Sequence, residues 1–268
     1  MEHISIVIPF MGNDPVRVNA LANLLNVLEA RSNWSLSYDY DIVIEILLVE
    51  QFMSSEHITK STGKYFSDTI QNCKHIPIVH SDFFNKSWCI NVGISYSKYD
   101  TIVIIDADTL FGADFLYRVI EGKKTLSEEQ SKIFFCWTSL LTLPGKNNPI
   151  ARMLRPDMTC ALGGVWSTEK EFFFQVLGGM NENFKGYGGE DNEIWERATF
   201  CMKKLCNMGL NNIGYSLVHQ YHDWAQQNTK ATPYLEITKK NTQKVINILR
   251  KTKLGNIEGP IYIDMEAL

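Results

Sequence analysis

The chain has 268 residues, 45% of them hydrophobic and 21% charged, with a formal net charge of −4. This is the composition of an ordinary globular protein, and it excludes an extensively disordered chain and a general attraction to nucleic acid or anionic lipid. No stretch approaches the ~20 consecutive apolar residues of a membrane-spanning helix, and the first three residues lead directly into a predicted strand, so we expect a cytoplasmic protein without a transmembrane segment.

Strands and helices alternate over the first 122 residues. The apolar patterns predict strands at 4–10, 42–49, 75–80 and 101–105, and helices at 16–30, 55–70 and 86–97. This order is typical of nucleotide-binding α/β folds.

The second half of the chain is less regular. A strand is predicted at 133–140, and residues 143–149 form an aperiodic loop that can act as a lid beside a site. We expect helices at 169–177 and 191–208, a strand at 213–219 and a final helix at 233–250. Ser167 or Thr168 is the predicted N-cap of the first of these helices.

Two acids follow the aliphatic strand at 101–105. Asp106 and Asp108 stand two residues apart, and a buried strand delivers such acids to the carboxyl edge of the sheet, where open α/β sheets bind ligands. Hard divalent cations prefer oxygen ligands and often bridge carboxylates to substrate phosphates. For the isolated Asp-x-Asp pattern, a solvated acid and a helix cap form the alternative interpretation.

A glycine-rich turn at 186–189 runs directly into further acids. Glu190 and Asp191 follow the turn, at a predicted helix start, and one of them can serve as a base. Glycines in such a turn let the backbone approach a ligand closely. Upstream, Gly163 and Gly164 precede a predicted strand.

These segments together resemble the sugar-nucleotide glycosyltransferases of the A-type fold, in particular the C-terminal region of the β-1,4-galactosyltransferases and related family 2-like enzymes. The similarity runs from about residue 4 to residue 223 and is strongest over 84–108 and 163–197. The matching residues are Val49 to Gln51, Phe84 to Lys86, Asn91 to Gly93, Gly163 to Val165, Gly178-Gly179, Asn181 to Phe184, and Gly186 to Asp191.

The resemblance implies an α/β fold of the A type, with a single Rossmann-like mixed sheet flanked by helices. It implies a catalytic domain over residues 1–230, and we expect residues 231–268 to form a helical extension packed on it. The implied reaction is metal-dependent, inverting transfer of a hexose or N-acetylhexosamine from a nucleotide sugar, UDP-linked, to an acceptor hydroxyl. Mn²⁺ or Mg²⁺ is the implied cofactor.

The resemblance also assigns candidate roles to individual residues. Asp191 is the candidate base and Glu190 binds hydroxyls, although the two roles can be reversed. Asp108 with either His219 or His222 is expected to hold the metal, with Asp106 as a further candidate ligand. The residues expected to contact the donor are Pro9, Phe10, Glu50, Asn85, Asn91, Asp106, Gly164, Tyr187 and Gly189.

The chain departs from the galactosyltransferases at several of these positions. They have tryptophan at the position of Tyr187, and an Asp-Asp-Asp run where this chain has Asp191-Asn192-Glu193. A tyrosine that crowds the donor's C2 substituent is replaced by Ala161, which implies a pocket that admits an N-acetyl group.

Two other classes remain open from the sequence. A nucleotidyltransferase can use a similar sheet and paired acids, and a non-catalytic domain can bind sugar nucleotides or glycans on the same fold. The acceptor is also open, with a glycan, a lipid-linked saccharide, a protein and a modified nucleobase as candidates. Six basic residues between 239 and 253 favour a solvated helix face over a polyanion site.

Overall fold

A computed structural model describes residues 1–12, 14–30, 39–80, 82–128, 130–136, 139–144, 150–154, 163–186, 188–202, 216–220, 231–265 and 267–268. Ala161, Tyr187 and His222 lie outside these described residues. So do residues 145–149 of the predicted lid at 143–149 and residues 203–208 of the predicted helix at 191–208.

From the first strand to the fourth, strands and helices alternate as the sequence predicts. In chain order they are β1 (Glu2–Phe10), α1 (Pro15–Ala30), β2 (Ile42–Phe52), α2 (Thr62–Thr69), β3 (Cys73–Val79), α3 (Lys86–Tyr96), β4 (Thr101–Ile105), β5 (Thr109–Leu110), α4 (Phe115–Thr125), β6 (Ile133–Phe135), β7 (Ser139–Thr142), β8 (Arg152–Leu154), β9 (Val165–Glu169), α5 (Glu190–Cys201), β10 (Ser216–His219) and α6 (Ala231–Lys251).

The main sheet has six strands in the order β3-β2-β1-β4-β9-β6. The first four are parallel to one another, whereas β9 runs antiparallel to both β4 and β6. Helices cover the sheet and bury β1, β2 and β4. This burial explains why the sequences of the three strands are nearly continuous aliphatic runs. Helix α3 packs directly on β1 at Gly93, where an added Cβ would lie 2.4 Å from Val7 Cγ1. The predicted mixed α/β class is confirmed.

A smaller sheet of four strands, in the order β5-β10-β7-β8, lies beside the end of β4. Strand β10 pairs antiparallel with β5, in a register that sets His219 opposite Thr109. This pairing brings a late part of the chain next to the acids that follow β4.

Three local predictions are wrong. The strand expected at 133–140 is two strands, β6 and β7, which belong to different sheets. The helix expected at 55–70 is a 3₁₀ segment, Ser55–Lys60, followed by α2, and the side chain of Ser61 caps α2 by accepting from Lys64 N at 2.8 Å. Ser167 and Thr168 are strand residues and not helix caps, since the Ser167 hydroxyl donates to the Ile102 carbonyl of β4 at 2.9 Å.

Helix α6 packs against α5 and bends at Asn241, whose φ of −128° is not helical. The two helices are joined by the Thr238 hydroxyl, which donates to the Glu193 carboxylate at 3.1 Å. The boundary at residue 231 between a catalytic domain and an extension stays a prediction. Within the described ranges, no helix combines the length and the apolar character needed to cross a bilayer.

An extended segment follows α6 and lies along residues 181–183. The buried carboxylate of Glu182 accepts the backbone N–H groups of Gly255 at 2.8 Å and Ile261 at 2.6 Å. Asn183 exchanges two hydrogen bonds with the backbone of Ile263. These bonds fix the residues that lead into the glycine turn at 186–189.

Candidate active site

Lys86 is the centre of the candidate site. It is the first residue of α3, and its Nζ lies 2.9 Å from Asp106 Oδ1 and 3.2 Å from Asp191 Oδ2. Glu190 Oε1 is 3.9 Å from the same nitrogen. One buried ammonium therefore joins three carboxylates that come from two distant segments of the chain.

Sequence reasoning did not select Lys86 as a site residue. The available signal was its position directly after Phe84-Asn85, where the resembling family has arginine. A cation at this position meets the acids that follow β4 because α3 begins at the same edge of the sheet.

Backbone contacts fix Asp106 beside this lysine. The Asp106 N–H donates to the Gly164 carbonyl at 2.8 Å, and the Gly164 N–H donates back to Asp106 Oδ2 at 3.2 Å. Gly164 has a φ of +92°, a conformation that favours glycine. At the neighbouring Gly163, an added Cβ would lie 2.3 Å from Asp191 Oδ2, so this turn leaves room for the carboxylate only without a side chain.

Glu190 and Asp191 open α5, where the positive end of the helix dipole favours carboxylates. The preceding residue, Gly189, has a φ of +91° and lies against the first residue of α6, with 2.7 Å between an added Cβ and Ala231 Cβ. Further along α5, the buried Arg197 guanidinium binds Glu193 and also donates to the Gly179 carbonyl at 2.7 Å. These contacts fix the direction in which α5 presents its first two acids.

This cluster has one ammonium and three carboxylates, and both burial and the neighbouring charges shift the pKa values of Lys86, Asp106 and Glu190. Burial, together with the charge of Asp191, raises the pKa of Glu190 to about 7, although Lys86 acts in the opposite direction. Burial also raises the pKa of Asp106, against the effect of Lys86. For Lys86, burial by itself lowers the pKa, but the carboxylates of Asp106, Asp191 and Glu190 outweigh it and raise the pKa well above its usual range.

One oxygen of Glu190 is left for a ligand. Its Oε2 is buried and has no hydrogen-bond partner among the described residues. A buried polar atom without a partner is unfavourable and is normally paired in a complete assembly. A hydroxyl donor from a substrate satisfies this oxygen.

Asp108 and His219 form a second pair beside the first cluster. Asp108 Oδ1 is 3.5 Å from His219 Nε2, and the backbone carbonyl of Asp108 accepts from Gln220 N at 2.8 Å. A carboxylate oxygen and an imidazole nitrogen are a donor set that suits Mn²⁺. In the described part of the chain, however, no group of three or more His, Cys, Asp or Glu residues is arranged to hold a metal ion.

The pair of Asp108 and His219 therefore fits a metal that takes its remaining ligands from substrate and water. Asp106, the further candidate ligand, is engaged by Lys86 through both carboxylate oxygens, at 2.9 and 3.1 Å. The alternate ligand, His222, lies outside the described residues.

The residues predicted to contact the nucleoside meet at the ends of β1 and β2. Phe10 pairs in register with Glu50, and Pro9 with Val49. Glu50 is buried; its Oε2 lies 2.9 Å from His75 Nε2 and accepts from Gly63 N at 3.1 Å. The other oxygen of Glu50 lies close to Gly12, in the turn that follows β1.

The amides of Asn85 and Asn91 are engaged within the protein. Asn85 caps α3 by accepting from Trp88 N at 2.9 Å, and it donates to the Glu182 carbonyl at 2.7 Å. Asn91 is 0% exposed and binds the Met180 backbone and the Glu182 carboxylate. The predicted donor contacts of Asn85 and Asn91 both stay predictions.

The chain was compared with protein families and with solved structures. Residues 154–222, which include Gly163, Asp191 and His219, match the family described as the N-terminal domain of galactosyltransferase. No curated protein matches the chain in sequence.

Among solved structures, the chain is similar to residues 1–349 of S. aureus TarS, with 12% identity, a TM-score of 0.54, and coverage of 93% of this chain and 65% of that one. A second S. aureus TarS structure gives 14% identity, a TM-score of 0.51, and coverage of 92% and 39%. The catalytic domain of Drosophila β1,4-galactosyltransferase 7 in complex with xylobiose gives 16% identity, a TM-score of 0.49, and coverage of 88% and 80%. The chain thus spans less than two thirds of either TarS structure.

The architecture is the glycosyltransferase A-type fold. With the galactosyltransferase segment at residues 154–222, the protein is a glycosyltransferase, as the sequence predicts.

Proposed function

We propose that the protein transfers a hexose or N-acetylhexosamine from a UDP sugar to a hydroxyl of an acceptor glycan, with inversion at the anomeric carbon. The observation that carries this proposal is the position of Lys86 between Asp106 and the Glu190-Asp191 pair, next to Asp108 and His219. This arrangement combines carboxylates for an incoming hydroxyl with a carboxylate–imidazole pair that would hold a metal for the diphosphate.

The donor's nucleoside lies over the ends of β1 and β2 in this proposal, against Pro9, Phe10 and Glu50. A carboxylate at that edge accepts hydrogen bonds from ribose hydroxyls or from a uracil N–H. Asp108 and His219 would hold Mn²⁺ or Mg²⁺, which would supply positive charge to the leaving diphosphate. Lys86 fixes the carboxylates of Asp106 and Asp191 beside this position.

Glu190 and Asp191 act on the acceptor hydroxyl in this proposal. The acceptor oxygen forms a bond to the anomeric carbon while the bond from that carbon to the diphosphate oxygen breaks, and the diphosphate leaves with the electron pair. Asp191 takes the proton of the acceptor hydroxyl, and its ion pair with Lys86 fixes the position of its carboxylate. The open Oε2 of Glu190 accepts a hydrogen bond from a substrate hydroxyl and so orients it.

A screen of nucleotide sugars tests this proposal. Wild-type protein with Mn²⁺ or Mg²⁺ is expected to release nucleoside diphosphate from one class of donor, and a Lys86→Met variant is expected to lose that release. Lys64→Met, which changes an exposed lysine on α2, is the matched control. Release of pyrophosphate instead would identify a nucleotidyltransferase, and no turnover of any donor would favour a binding domain.

A further inference from the structure

Positive charge is concentrated in the C-terminal part of helix α6 and in the segment that directly follows it. Six of the chain's 26 lysines and arginines lie between residues 237 and 257, a stretch that contains no aspartate or glutamate, although the whole chain has a net charge of −4. These six residues, called the basic face from here on, are all exposed: Lys239, Lys240, Lys244, Arg250, Lys251 and Lys253.

Burial divides the helix into two sides. Val245, Ile246 and Leu249 are buried against the rest of the protein, while Gln243 and Asn247 are exposed with the basic face. Lys239 forms an ion pair with Glu236 at 3.2 Å. Within the described residues, the other five cations of the basic face have no ion pair with a carboxylate.

Helix α6 begins close to the candidate active site, and the basic face starts about 12 Å further along the helix, at 1.5 Å per residue. Ala231, the first residue of α6, lies against Gly189 at the N-cap of α5, and the ring of Tyr234 packs edge-on against Phe184 at 5.6 Å. From there the helix extends about 30 Å, at 1.5 Å per residue. A polymer bound along the basic face therefore leads toward the turn that presents Glu190 and Asp191.

The side chains on this face favour a hydrophilic anionic polymer over a membrane. A helix that lies in a bilayer surface presents apolar side chains to the lipid, whereas those of α6 are buried or half-buried in the protein. Aromatic residues for stacking on nucleic acid bases are also missing from the exposed residues of α6. Gln243 and Asn247 also lie on this face; Gln243 Nε2 donates to Asn247 Oδ1 at 3.0 Å, and the Gln243 oxygen and the Asn247 amide N–H groups can bond sugar hydroxyls.

We infer that the basic face is a secondary binding surface for an anionic glycan, which holds a carboxylated or otherwise acidic acceptor chain while its end enters the active site. The acceptor role rests on the glycosyl transfer proposed above. Binding to the surface is a property of α6 and does not depend on turnover.

The test measures binding by fluorescence anisotropy at low salt. The probes are a labelled oligosaccharide of polygalacturonic acid and a neutral oligosaccharide of the same length. The face variant combines Lys240→Gln, Lys244→Gln, Arg250→Gln and Lys251→Gln. A control variant removes the same charge from four exposed lysines outside α6: Lys64, Lys74, Lys98 and Lys124.

Wild type and the control variant are expected to bind the acidic oligosaccharide and not the neutral one, with affinity that falls as salt rises. The face variant is expected to bind it about tenfold or more weakly, because four exposed charge contacts are lost together. Equal binding by the face and control variants, or no binding by wild type, would overturn the inference. Tighter binding to phosphatidylglycerol vesicles or to a single-stranded oligonucleotide would also overturn it, by assigning the face to another partner.

Donor hydrolysis in the absence of acceptor separates the two proposals. The face variant is expected to hydrolyse the donor as wild type does, since the basic face lies outside the catalytic cluster. If wild type binds the acidic oligosaccharide but turns over no nucleotide sugar, glycosyl transfer fails while the binding surface stands.

Discussion

Lys86 Nζ lies 3.2 Å from Asp191 Oδ2, and this ion pair joins the first residue of α3 to the first turn of α5. Both side chains are largely buried, so the contact is only weakly screened by solvent. Removal of Lys86 leaves the buried carboxylates of Asp106 and Asp191 without a cation, whereas removal of Asp191 leaves Lys86 paired with Asp106 at 2.9 Å.

The assignment of the base predicts different behaviour for two neighbouring variants. Asp191→Asn removes basicity but keeps size, so transfer to an acceptor is expected to fall by ~10²–10⁴ while donor binding persists. Glu190→Gln is expected to weaken acceptor binding more than the chemical step. Single-turnover transfer rates combined with calorimetric donor affinities check both; near-normal transfer by Asp191→Asn, with transfer lost in Glu190→Gln, would reassign the base to Glu190.

Asp108→Ala is expected to abolish metal-dependent donor hydrolysis in a folded protein. Without the metal ion, the negative charge on the leaving diphosphate is not neutralised. This raises the barrier by several kcal/mol and lowers the rate roughly a thousandfold. The measurement is a metal titration of nucleoside diphosphate release, with Asp68→Ala on the exposed side of α2 as control. Wild-type rates in Asp108→Ala would exclude this residue as a ligand.

The raised pKa of Glu190 predicts a pH-dependent stability. Its value in the folded protein is about 7, against an ordinary value of 4.5, so the folded state binds the proton more tightly than the unfolded state does. Relative to Glu190→Gln, wild type is therefore most stable below pH 4.5 and loses that advantage as pH rises through 7. The change is on the order of 3 kcal/mol, at ~1.4 kcal/mol for each unit of pKa shift.

Urea unfolding of wild type and Glu190→Gln at pH 5 and pH 8, without added metal, measures this difference. Glu258→Gln, at an exposed position, is expected to leave the pH dependence of wild type unchanged. Parallel stability curves for wild type and Glu190→Gln would contradict the raised pKa.

Gly163→Ala tests the close approach of the turn to Asp191. An added Cβ lies 2.3 Å from Asp191 Oδ2, so the carboxylate must shift from its position beside Lys86. A misplacement of about 1 Å near the reacting atoms can cost ~10²-fold in rate, and we expect a loss of this size in transfer. Gly259→Ala, where an added Cβ meets nothing within 4 Å, is the control that is expected to keep full activity.

The sequence identifies the parallel part of the sheet well because buried parallel strands have a distinctive aliphatic pattern. The runs at 4–10, 42–49 and 101–105 lie within or match β1, β2 and β4. It fails where one apolar run serves two sheets, as at β6 and β7, because periodicity carries no information about which sheet a strand joins. The predicted cap at Ser167 or Thr168 is wrong for another reason. A hydroxyl suits a helix cap and a strand position equally, and that of Ser167 donates to Ile102 in the neighbouring strand.

In the candidate site, too, the sequence predicts some residues, and only the fold reveals the others. Acids next to glycine turns are visible in the sequence, and Asp106, Glu190 and Asp191 do meet in space. Lys86 was missed because a single lysine forms no sequence pattern. Its place in the site depends on contacts with residues 20 and 105 positions away. The hydrogen bond between Asn91 and Glu182 also joins residues 91 positions apart, so the sequence alone does not show it.

The wide separation of these partners makes catalysis a reporter of folding. Lys86 and Asp191 are 105 residues apart, and the strand pairing that sets Asp108 beside His219 spans a similar length of chain. Local opening of α3, α5 or β10 disperses the catalytic groups even when the rest of the sheet persists. In a denaturant titration, activity is therefore lost at or before the midpoint reported by tryptophan fluorescence, and the interval between the two curves measures how independently these elements open.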